Sequence, residues 1–92
     1  MTNVTANALG GDDSVGVANI INSSPEMTNV LATASGGITS NYGVKNLSST
    51  PTIKTSSISG TTNSISNDAT STAKVGATML NGSVTGTGFT CV

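Results

Sequence analysis

Side chains able to do acid–base or nucleophilic chemistry are few and scattered in this 92-residue sequence. There are four carboxylates (Asp12, Asp13, Glu26, Asp68), three lysines (Lys45, Lys54, Lys74), one thiol (Cys91), and no histidine or arginine. General acid–base and covalent catalysis both require groups of tunable pKa held close together. Cys91 has no histidine to generate its thiolate, so it reads as a small buried side chain near the end of a final strand, with an intermolecular disulfide as the minor alternative. Asp12 and Asp13 follow Gly10-Gly11 and offer hard oxygens to calcium, but no D-x-D-x-D spacing continues the set, and a solvated turn is the simpler reading. Neither a zinc-ligand spacing nor a phosphate-cradling glycine loop is present. The expectation is a protein that is not an enzyme and carries no cofactor and no metal.

The remaining polar residues are uncharged. Ser, Thr, Asn and Gly make up 51 of the 92 residues, and only 8% are charged. N-x-S/T sequons occur at Asn3, Asn22, Asn46 and Asn81, which makes these four the candidate glycosylation sites. A chain this rich in Asn, Ser and Thr produces several sequons from composition alone, so a hydrated, hydroxyl-rich face is the competing reading. Thr85-Gly86-Thr87 invites comparison with flat threonine arrays that bind ice, but a single T-x-T triplet does not make a ladder. Only Tyr42 and Phe89 could stack on a sugar, and Phe89 reads as core.

The elements that must carry these residues are strands. No segment shows a capped helical period. The chain's most informative feature is an internal echo: residues 1–11 (MTNVTANALGG) and 27–37 (MTNVLATASGG) agree at eight of eleven positions. Within the match, Val4/Val30, Ala6/Ala32 and Ala8/Ala34 are kept while the residues between them vary, the period of two expected of a strand with one constrained face. Continuing the 26-residue offset to positions 53 and 79 gives little further similarity, so a four-coil solenoid is only weakly signalled. Further strands are expected over 14–21, 38–47, 52–58, 73–80 and 83–92, with Asn81-Gly82 as a two-residue hairpin turn and 60–72 as the most loop-like stretch.

Short strands about ten residues apart, separated by Gly and Asn, predict an all-β fold in one domain spanning 1–92. The expected form is a small antiparallel β-sandwich, Ig-like or pilin-like, of about six to eight strands, completed by a strand from a neighbouring subunit. The 23 large apolar side chains include one Phe and no Trp, a thin core that assembly would reinforce. The net charge of −1 leaves little repulsion between copies. Residues 1–11 are the candidate donor strand, with Val4, Ala6 and Ala8 as the inter-subunit face. The functional expectation is a structural subunit of an extracellular filament, pilus or surface assembly, located outside the cell. It would polymerise with copies of itself by β-strand addition and could carry attached glycans. A functional amyloid or β-solenoid fibre subunit and a virion structural protein are the alternatives. Without a basic patch, nucleic acid is not an expected partner, and no apolar run is long enough for a membrane span.

Overall fold

Four residues spaced 26, 26 and 22 apart turn the chain at the same corner: Asn3, Asn29, Thr55 and Ala77 have φ of 55°, 55°, 45° and 44°. Left-handed backbone bends an extended chain sharply without reversing it, and Asn tolerates it better than other non-glycine residues. Each corner therefore passes the chain from one flat face to the next. In the computed structural model, which describes all 92 residues, this winding produces a three-faced parallel β-solenoid.

One face is the sheet β1 (Thr5–Leu9), β4 (Leu31–Ser35), β7 (Ser57–Gly60), β10 (Met79–Asn81). The second is β2 (Asp13–Asn19), β5 (Ser40–Asn46), β8 (Asn63–Asn67), β11 (Val84–Thr85), and the third is β3 (Glu26–Thr28), β6 (Thr52–Lys54), β9 (Ala73–Gly76), β12 (Phe89–Cys91). Residues 1–3 add a short outer rung to the third face through a Thr2–Thr28 bridge.

Every ladder is parallel, which overturns the antiparallel sandwich. Twelve strands replace the expected six to eight, because glycine and asparagine at strand ends do not reverse the chain but carry it around a corner into a further short strand. Asn81-Gly82 is accordingly a corner between two faces and not a hairpin, and the stretch expected to be loop, 60–72, contains β8. The expected strand over 52–58 is two strands, β6 and β7, broken by the Thr55 corner; the expected final strand, 83–92, is likewise β11 and β12. Residues 5–9, expected within a donor strand, form β1 and lie in register on β4 of their own chain, Ala6 opposite Ala32 and Ala8 opposite Ala34.

The core is a set of inward columns, each one residue per coil. Ala6, Ala32, Ile58 and Leu80 form one, Val17, Val44, Ile65 and Val84 a second, and Met27, Ile53 and Val75 a third. Their central members Ala32, Val44, Ile53, Ile58 and Ile65 are fully buried. Two faces meet so closely that Gly43 has no room for a side chain: a Cβ there would sit 2.6 Å from Ile58 Cγ2 and 2.8 Å from the Ser64 carbonyl oxygen. The column Ala8, Ala34, Gly60 has the same origin, since a Cβ on Gly60 would lie 2.7 Å from the Asn41 carbonyl oxygen.

Candidate functional site

A polar line runs up the inside of the solenoid. Asn19, Asn46 and Asn67 close successive strands of the second face. The Asn19 amide donates through Nδ2 to Asn46 Oδ1 at 2.8 Å, Asn46 Nδ2 donates to Asn67 Oδ1 at 2.7 Å, and Asn67 Nδ2 donates to the Thr87 carbonyl at 3.0 Å. Asn46 and Asn67 each use one donor and one acceptor along the axis, so the stack ties together rungs about 4.8 Å apart. No buried side-chain nitrogen or oxygen anywhere in the chain lacks a partner.

A second polar line runs outside, along the left-handed corner. Asn29 Nδ2 donates to Asn3 Oδ1 at 2.6 Å, and Thr55 and Ala77 occupy the equivalent places in the next coils. Beside this corner lies an open groove of about 820 Å³ that crosses all four coils. Its floor is backbone already bonded from coil to coil, with Leu31 N to Val4 O at 2.8 Å, Ser57 N to Val30 O at 2.8 Å and Met79 N to Ser56 O at 2.9 Å. No charged residue lines it.

Charge is placed elsewhere. Asp68 sits at a corner between β8 and β9, where its carboxylate accepts from the Ser71 hydroxyl at 2.7 Å and from the backbone amides of Ser48 at 3.0 Å and Thr70 at 3.1 Å. The Ser71 hydrogen bond, reinforced by those from Ser48 and Thr70, holds its pKa below the usual aspartate value. Lys45 Nζ lies 5.6 Å from the centre of the Tyr42 ring on the outer side of β5. No three of His, Cys, Asp and Glu come together as a metal-binding group.

No family model, no curated protein and no solved structure matches the chain.

The residues singled out from sequence fall in distinct places. Val4, Ala6 and Ala8 lie on the first rung, with Val4 and Ala6 half-buried against the chain's own core. Asn3, Asn22 and Asn81 are exposed. Asn46 is fully buried and bonded at both ends of its amide, so its sequon cannot carry a glycan in the folded chain. Cys91 is exposed on β12, against the expectation of burial, because the last coil has no rung above it. Asp12 and Asp13 are exposed without a third acidic partner, as are Thr85 and Thr87, which do not form a ladder. Phe89 packs half-buried against the core. The internal asparagine stack was missed, although its signal is in the sequence: Asn19, Asn46 and Asn67 are separated by 27 and 21 residues, close to the coil lengths.

Proposed function

We propose that this chain is a non-catalytic structural subunit of an extracellular filament or surface assembly, extended by adding coil edge to coil edge. The observation that carries the proposal is the pair of open edges. At one end residues 1–3, β1 and β2 have a neighbour on one side only; at the other, β10, β11 and β12 do. An unpaired strand edge is a template for another chain, and β-strand addition uses it for affinity. The last coil supports this reading further, because it presents Met79, Leu80, Val84 and Val92 to solvent with no charged residue on β10, β11 or β12. Parallel faces favour stacking of whole coils over insertion of a donor strand, since each new rung would meet the same three-sided outline. The outline narrows toward the C-terminal end, so the second face, where the two residues of β11 would meet the seven of β2, would contribute least.

Electron microscopy and sedimentation of the untagged chain test the proposal. Regular filaments or concentration-dependent oligomers are the expected result. Placing lysines on the last coil, Asn81→Lys with Thr85→Lys, should suppress them while leaving the circular dichroism spectrum unchanged. Monodisperse monomer across the accessible concentration range would refute the assembly reading.

A further inference from the structure

The groove beside the left-handed corner repeats with the coil. Each coil contributes its corner residue, Asn3, Asn29, Thr55 or Ala77, and the outward residue two places on, which is Thr5, Leu31, Ser57 or Met79. The result is one wall of amides and a hydroxyl at rung spacing, about 4.8 Å apart, facing a wall that mixes two hydroxyls with two apolar side chains. We infer that this groove binds a linear, neutral oligosaccharide lying along the solenoid axis.

Four features favour that occupant. The groove has no charged lining residue, so nothing in it compensates a phosphate, sulfate or uronate. The floor's backbone groups are already bonded between coils, which leaves an extended peptide no ladder to join. An alkyl chain would leave the Asn3, Asn29 and Thr55 polar groups facing hydrocarbon, at the cost of their hydration. A sugar chain offers hydroxyls to one wall and the apolar faces of its rings to Leu31 and Met79, the mixture of a few placed polar groups and apolar surface typical of ligand sites. The volume of about 820 Å³ is within the range such sites occupy, and its length across four coils suits a polymer better than a single ring.

The test is a titration of the whole ¹⁵N-labelled chain with cellohexaose, chitohexaose and maltohexaose, each alone, followed by amide chemical shifts. The expected result is saturable shifts at residues 3–5, 29–31 and 55–57 with at least one of the three. Asn29→Gly keeps the left-handed backbone and removes one amide, so it should weaken binding about fivefold, the worth of one neutral hydrogen bond. Leu31→Ser, on the opposite wall, should weaken it by a similar factor. No localised shift with any of the three sugars, or binding indifferent to both substitutions, would overturn the inference. So would the same shifts appearing on concentration alone without sugar, which would assign the groove to a second copy.

Discussion

Replacing Asn46 with leucine is the sharpest probe of what holds the coils in register. Leu keeps the branched skeleton of Asn but is bulkier, so overpacking at this fully buried site adds to the cost; the substitution also orphans two groups, the Asn19 Nδ2 donor and the Asn67 Oδ1 acceptor. A buried polar group left without a partner costs about 1–3 kcal/mol. Asn19 and Asn67 retain 6% and 5% exposure, which gives water some access and places the cost of the two orphaned groups together in the lower half of the range, about 2–4 kcal/mol. Against a total stability of roughly 5–14 kcal/mol for a chain of this length, that is a large fraction. Urea unfolding followed by far-UV circular dichroism measures it directly. Asn46→Asp adds a signature that packing alone cannot imitate. An aspartate there can accept from Asn19, but it meets the Asn67 carbonyl oxygen acceptor to acceptor unless it is protonated, so burial and that contact raise its folded pKa. Below the unfolded value of about 3.9 the residue is protonated in both states and the penalty is absent. Above it, the penalty grows by about 1.4 kcal/mol per pH unit until the folded pKa is reached. Asn46→Asp should therefore recover stability on acidification relative to the parent chain. Parent-like stability of Asn46→Leu, within about 0.5 kcal/mol, would refute the asparagine stack as a structural tie, as would the absence of acid recovery in Asn46→Asp.

Three other outcomes are expected. Thr55→Asn should stabilise the fold by about 0.5–1 kcal/mol in the same urea assay, because a β-branched residue at φ 45° is strained and Asn is the residue that the first two corners use; no gain would mean the strain is relieved locally. Gly43→Ala should destabilise by about 1–3 kcal/mol or prevent folding, since the added methyl collides with Ile58 and two carbonyl oxygens. Asp68 has a depressed folded pKa, so its contribution is present above the unfolded aspartate value and is lost as pH falls through the folded one; Asp68→Asn should flatten the stability–pH curve in that acidic window, and an unchanged curve would count against the Ser71 contact.

The strands were more legible in the sequence than the way they connect. The Val4/Ala6/Ala8 and Val30/Ala32/Ala34 echo located two strands on one face and their constrained side, because side-chain alternation is a local property. Topology escaped because the same corner residues serve hairpins and coils alike. The echo also faded for a physical reason. The third copy is in register, with Met27 opposite Ile53 and Ala32 opposite Ile58, but larger side chains fill the place of alanine. The fourth begins at Val75 and not at 79, because the coil has lost four residues at its corners. A search at fixed offset then compares unrelated positions. The asparagine stack lay outside the eleven-residue match, and its spacings of 27 and 21 straddle the period sought. Exposure of Cys91 depended on which rung is outermost, which no local pattern encodes.

The shortening of successive coils gives the molecule a direction. On the third face the step from rung to rung falls from 26 residues (Met27 to Ile53) to 22 (Ile53 to Val75) and then to 16 (Val75 to Cys91). On the first and second faces the rungs dwindle with it, from five residues in β1 to three in β10 and from seven in β2 to two in β11. In a stack where each layer leans only on its neighbours, stability is a sum along one dimension. A ladder whose bars thin toward one end unzips from that end. Amide exchange should therefore spread as a front from Phe89–Cys91 inward and reach the asparagine-tied middle coils last.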